Sequence, residues 1–411
     1  MTSIYELGRP VLCVALLFAP LTVTAVAAET NNAPRVFLLR ADSLAEAKRR
    51  LAGGDAGPAR ALQEVVTRAD RALDQRPPSV MDKPDAPPSG DKHDYMSLAP
   101  YWWPNPDTAD GLPYVRRDGE VYKDRNKHDT LGLRAMTDAV RDLGLAYYFS
   151  DDERYAAKCA EFLRVWFIKP ESRMNPNLNF AQGVPGRTDG RCYGIIDTTQ
   201  WRWLIEAIGM IGASSAWTDA DQATLQQWFR EYLDWLMTSP NGTLEAAQSN
   251  NHGTWWAVQT ALYALFVGDA DTARTTVEGV KQRIARQVEP DGHQPREAAR
   301  TKGLSYSCYN LDALMCAARL GEHVGLDLWS FETEDGRSIR KALDYLIPYG
   351  LGDEKWEGKQ IAKWKMPLEL LRRASVGFQE PRYERLIADA SGGGGGLGLF
   401  DLVEPARHAA R

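Results

Sequence analysis

The chain has 411 residues, enough for one large domain or two ordinary ones, and carries 49 Lys and Arg against 55 Asp and Glu, a formal net charge of -6. No basic stripe accompanies that balance, which argues against nucleic acid as a partner but leaves room for a locally positive cleft. Aromatic residues are abundant, with 13 Trp and 16 Tyr, and flat indole and phenol faces suit the apolar faces of sugar rings.

Residues 1–28 read as a signal peptide. Arg9 closes a short polar start, an apolar stretch runs from Val11 to Val26, and Ala25, Ala27 and Ala28 offer a small-residue cleavage site before Glu29. The stretch is short for a membrane span and is interrupted by Pro20, Thr22 and Thr24. The expected mature protein is therefore periplasmic or secreted and free of the membrane after cleavage. Its body is expected over residues 29–390, with a Gly-rich tail over 391–411.

The body reads as helix after helix. Ser43-Leu-Ala-Glu46 is a capping-box pattern that opens a helix toward Leu51, and a second runs from Pro58 to Leu73. An irregular stretch rich in Pro and aromatics fills Pro77 to Asp129. Helical periodicity then recurs in pairs: Thr130–Phe149 with Glu153–Phe167, Ile195–Ala213 with Asp219–Met237, and His252–Val267 with Ala270–Gln287. Ser305–Val324 with Gly336–Pro348 and Gln360–Ala374 with Pro381–Ala390 complete the series. The pattern predicts an all-α fold whose serial hairpins can close as a toroid with a cleft at one end; a solenoid of stacked helical repeats is the alternative, but no fixed-period motif of that kind is present. Cys159, Cys192, Cys308 and Cys316 remain after the leader; Cys308 and Cys316, two helical turns apart, read as packed free thiols, and spacing does not give a disulfide pairing. No Cys/His cluster has zinc spacing and no calcium loop is present, so no metal or other cofactor is expected.

Chemistry concentrates in two runs, Ser249-Asn250-Asn251-His252-Gly253-Thr254-Trp255-Trp256 and Arg300-Thr-Lys-Gly-Leu-Ser-Tyr306. Together they supply an amide, an imidazole, a guanidinium and a phenol. Those groups suit removal of a weakly acidic proton beside a carboxylate: three offset the charge of an enolate-like transition state and the phenol moves the proton. A free phenol titrates near ~10, so a tyrosine base needs a positive neighbour such as Arg300 to bring it toward working pH. One of Asn250 and Asn251 is expected to cap the helix and the other to face substrate. Tyr309 competes with Tyr306, and Arg296 with Arg300. Tyr101, Trp102, Trp103 and Trp255 are either buried anchors or sugar platforms. Asn179, Gln182 and Arg187 sit between helices, where polar groups either reach a polymer or cap a loop. Asp197, Glu297 and Asp312 are the carboxylates from which a hydrolase would draw its pair.

Asn250-Asn251-His252 with Arg300 and Tyr306 resembles the active-site signature of the alginate lyase superfamily of α/α-toroid polysaccharide lyases. The segment His93-Asp-Tyr95-Met-Ser-Leu-Ala-Pro-Tyr101-Trp102-Trp103-Pro104-Asn-Pro and the run Asn177-Leu-Asn179-Phe-Ala-Gln182-Gly resemble the same family, and the likeness extends from Val36 to Phe378. It implies a single α/α toroid (an incomplete barrel) of about six or seven antiparallel helical hairpins. It also implies metal-independent β-elimination in a β-1,4-linked uronate polymer such as alginate, especially polymannuronate, or glucuronan. Tyr306 would act as base and acid on mannuronate or glucuronate, and His252 as base with Tyr306 as acid on guluronate. Asn251 and His252 would hold the substrate carboxylate, with Arg300 lowering its charge. An α/α-barrel glycoside hydrolase and a non-catalytic polyuronate-binding protein are the competing readings.

Overall fold

The computed structural model describes residues 33–392 and 396–406; the signal-peptide reading of residues 1–28 lies outside the described residues. Helices appear in chain order as α1 (Ala41–Ala52), α2 (Ala56–Leu73), α3 (Thr130–Ser150), α4 (Glu153–Leu163), α5 (Trp201–Ile211) and α6 (Asp219–Thr238). They continue as α7 (Pro240–Ala246), α8 (Asn251–Val267), α9 (Ala270–Gln287), α10 (Pro295–Ala298) and α11 (Gly303–Glu322). The last are α12 (Ile339–Leu351), α13 (Glu369–Gly377), α14 (Arg382–Ala390) and α15 (Leu399–Val403). Among the described residues no helix is long and apolar enough to cross a membrane.

Burial sorts these helices into an inner and an outer set. In α8 every residue except His252 and Trp256 is buried, as a helix that is apolar on all sides requires. Its neighbour α9 buries only Ala273, Val277, Val280, Ile284 and Gln287, one stripe at helical spacing. The inner helices α3, α5, α8 and α11 pack in sequence, and α4, α9 and α12 back their partners from outside. The result is an α/α toroid. Much of the aromatic content is core: Phe167, Trp201, Trp228, Phe229, Tyr232 and Tyr263 are buried together, with Phe167 and Trp228 centroids 4.8 Å apart. Cys159, Cys192, Cys308 and Cys316 are buried free thiols.

Two departures from helical periodicity have local causes. Residues 192–198 form a 3-10 turn before α5, where the Thr198 hydroxyl donates back to the Ile195 carbonyl and to Gln259 Oε1. Such side-chain bonds compete with the regular ladder. The segment expected as a helix from Gln360 becomes one only at Glu369, because Pro367 disfavours helical backbone at the residue before it. At the chain's end the Gly-rich tail is more than a tail: Leu402 and Val403 are fully buried, and α15 packs on α1 and α2. Its Leu-Phe-Asp-Leu-Val run supplies the apolar face that holds it there.

The irregular stretch between α2 and α3 carries strands that sequence periodicity gives no sign of. β1 (Met96–Leu98) pairs in parallel with a strand after α4, and β2 (Trp102–Trp103) pairs antiparallel with β3 (Val115–Arg116). The partner of β1 is β4 (Phe180–Gly183). A buried Lys83–Asp129 ion pair at 3.1 Å ties the two ends of this stretch together. Glu206 of α5 does the same for residues 37–39: its buried carboxylate accepts the backbone N–H groups of Phe37, Leu38 and Leu39. Burial pushes the Glu206 carboxyl up to about 7, against the pull of those three donors.

Candidate active site

The first turns of two inner helices meet the β2–β3 hairpin around a cleft of about 510 Å³. Asn250 is the N-cap of α8; its backbone is extended and its side chain accepts the His252 N–H at 3.2 Å. That cap leaves Asn251 and His252 as the first helical residues. Asn251 is 1% exposed, and its backbone N–H and Nδ2–H both donate to the Glu297 carboxylate, at 2.6 and 2.7 Å. The amide is thereby fixed, with a second N–H still to give. His252 Nδ1 lies 2.6 Å from Oε1 of the buried Glu245. An ionised carboxylate only accepts, so Nδ1 carries the proton and Nε2 is left for the cleft. Gly253 completes the turn, because a Cβ there would lie 2.0 Å from the Gln248 carbonyl oxygen. The motif needs glycine at that position for the close approach of chain to chain.

The opposite wall comes from α11. Tyr306, in its first turn, has its hydroxyl oxygen 2.7 Å from that of Tyr101. Arg300 Nη2 donates to the Tyr306 oxygen at 3.2 Å, and the Arg300 Cζ sits 4.2 Å from the ring centroid. Burial pushes the Tyr306 phenol well above its ordinary range; Tyr101 adds to the rise and Arg300 opposes it. The sequence-based expectation that Arg300 would bring this phenol toward neutrality is thus met in direction only: desolvation outweighs the guanidinium, and the phenol is protonated. The N-termini of α8 and α11, each the positive end of a long helix, face the same cleft and favour an anionic ligand.

The cleft wall includes Tyr101, Trp102, Gln182, Asn250, Asn251, His252, Arg300, Tyr306 and Tyr309. Other residues singled out in the sequence lie elsewhere. Trp103 follows Trp102 in β2 and so points to the opposite face, where its indole N–H donates to the Glu120 carbonyl. Asn179 is exposed and accepts the Trp235 indole N–H at 2.9 Å. Arg187 is exposed and donates to the Tyr114 carbonyl, its guanidinium 5.3 Å from the Trp102 ring. Trp255 is 1% exposed and packs against Tyr309 at 5.1 Å, so it supports the wall from behind. Arg296 is exposed outside the cleft wall, one residue before the Glu297 that faces Asn251. Arg116 of β3 lines the cleft, and so do Arg191 and Tyr193. Arg191 and Tyr193 carry no helical or capping signal, and their places depend on a loop folding back over β4.

None of the three carboxylates considered for a hydrolase pair is free. Asp197 accepts from Tyr95, Ser97 and Gln182, Glu297 is held by Asn251, and Asp312 is sandwiched between Arg202 and Arg373. Among the described residues no group of three or more His, Cys, Asp or Glu is placed to hold a metal ion.

Comparison with known proteins adds an independent observation. The sequence pattern of the family described as Alginate lyase matches residues 79–356. A crystal structure of an alginate lyase from Bacteroides ovatus is 38% identical, covers 90% of this chain and 99% of its own, and superposes with a TM-score of 0.86. The alginate lyase A1-III from Sphingomonas species A1 shares the fold, with a TM-score of 0.54 at 15% identity over 83% of this chain and 94% of its own. No curated protein matches.

Proposed function

The chain belongs to the alginate lyase family and is a polysaccharide lyase; from that premise we propose that it cleaves alginate, polymannuronate-rich chains first and glucuronan second, by β-elimination. The observation that carries this reading is the meeting of Tyr306, Arg300, Asn251 and His252 in one cleft. In the reaction the C5–H bond breaks, its electron pair forms the C4–C5 double bond, and the C4–O4 bond breaks as O4 takes a proton. The C5 proton is weakly acidic until the neighbouring carboxylate loses charge. Arg300, the second N–H of Asn251 and His252 are the donors for that, acting where charge develops.

On mannuronate or glucuronate the C5 proton and O4 lie on one face, so Tyr306 takes the proton and returns one to O4. The raised phenol makes the prior loss of its proton costly at neutral pH, and Arg300, at 3.2 Å, is the group that offsets that cost. The same protonated phenol, with His252 Nε2 unengaged by Glu245, supports a second reading: His252 as base and Tyr306 as acid, the anti geometry of guluronate. We further infer from the apolar leader that the enzyme works outside the cytoplasm.

The test is ultraviolet absorbance of the unsaturated uronate during incubation with polymannuronate, polyguluronate, mixed alginate and glucuronan, with Tyr306→Phe alongside. A rise on polymannuronate that Tyr306→Phe lowers at least ~100-fold supports the main reading. A rise confined to polyguluronate transfers the base role to His252. New reducing ends without absorbance would overturn elimination altogether.

A further inference from the structure

The Arg300 Nη2 that donates to the Tyr306 oxygen also donates to Asp118. We propose that Asp118 is a positioning residue of the reaction, clamping Arg300 in the one attitude that aims Nη2 at the Tyr306 hydroxyl and leaves Nη1 for the substrate carboxylate. This deepens the elimination reading and rests on it.

Asp118 lies just beyond β3. Its Oδ1 accepts from Arg300 Nη2 at 2.8 Å and its Oδ2 from Arg300 Nε at 3.3 Å, a two-point grip that fixes the plane of the guanidinium. The Thr301 hydroxyl donates to Oδ2 at 3.0 Å, and Arg116, itself on the cleft wall, donates to Oδ1 at 2.8 Å. One carboxylate thus gathers Arg116, Arg300 and Thr301. With Nε and Nη2 committed, Arg300 Nη1 makes no hydrogen bond among the described residues and is the donor left for a ligand.

The approach of the two chains is built into the backbone. Gly119 adopts φ +80, a conformation that L side chains avoid. A Cβ there would also lie 2.5 Å from the Thr301 Oγ1 and 2.9 Å from the Ile361 Cδ1. Glycine next to Asp118 is what lets the loop lie against residues 300–301. Asp118 thus anchors Arg300, whose Nη2 also donates to the Tyr306 oxygen, together with Arg116 of the cleft wall. Without it, the long Arg300 side chain has several rotamers to choose from, and an aim defined to a few tenths of an ångström is lost.

A double-mutant cycle tests the clamp, with kcat and KM measured on polymannuronate for Asp118→Ala, Arg300→Ala and the pair. The expected result is a ~10- to 100-fold fall in kcat for Asp118→Ala with KM within ~3-fold. In the Arg300→Ala background the same change costs less than ~3-fold, because the residue acts through Arg300. Asp118→Glu should recover part of the loss. Should Asp118→Ala fail to fold, Thr301→Val and Asp118→Asn loosen the same clamp, and each should lower kcat in the same Arg300-dependent way. Additive losses, or a folded clamp variant with wild-type kcat, would overturn the proposal. If Arg300→Ala itself leaves kcat intact, the elimination reading has failed first; if it abolishes kcat while the Asp118 variants do not, only the clamp has failed.

Discussion

Asn251 leans on Glu297, His252 on Glu245 and Arg300 on Asp118, so three of the side chains facing the cleft each have a carboxylate behind them. The front row was legible in the sequence because its members sit in two short runs whose residue types fit one reaction. The row behind was not. Glu297 pairs with Asn251 across 46 residues and Asp118 with Arg300 across 182, and no local pattern marks such a partner. Acidic partners orient their residues as outer-shell groups do around any reacting centre. Glu297→Gln, nearly the same size, replaces one of the two oxygens that hold Asn251 by an N–H. It should lower kcat by ~10- to 100-fold while thermal melting shows a folded protein; an unchanged kcat would mean the Asn251 amide needs no such support.

The long helices were read correctly in kind and nearly in extent because their signals are local. Thr218 and Asp221 form the capping box of α6, whereas Ser43 and Glu46 do not cap α1, which opens at Ala41 after Arg40 and holds Ser43 inside it. What escaped were pieces too short to show a period: α7, α10 and α15, and strands of two to four residues whose pairing is set by partners far away. One of these short joins bears on the cleft. The start of α8 presses against the chain that leaves α7, at Gly253. Gly253→Ala should cost ~1–3 kcal/mol through overpacking and displace Asn251 and His252. Denaturant unfolding together with the elimination rate checks this, and a variant that keeps both wild-type stability and wild-type rate would show the contact to be slack.

At the scale of the whole molecule, Glu206 fastens the segment that enters the fold to an inner helix, and its protonation makes that fastening pH-dependent. The folded carboxyl, at about 7, lies above its ordinary value of 4.5. A raised acid binds its proton more tightly in the fold, so its contribution is fullest below pH 4.5 and declines as pH rises toward 7. From pH 5 to pH 8 the wild type should therefore lose on the order of 2–3 kcal/mol relative to Glu206→Gln. Unfolding curves of both proteins at the two pH values measure the difference, and a constant gap would contradict it. α8 and α11 are buried along most of their length and meet the cleft at their N-terminal ends. Helix ends and irregular segments therefore build the cleft together. The rods carry Asn251, His252 and Tyr306 at their tips, while the hairpin and the β4 loop supply Trp102, Arg116, Gln182 and Arg191. Because Tyr101 and Asp118 flank that hairpin and touch Tyr306 and Arg300, a change in the loops that line the cleft also reaches the groups at its centre.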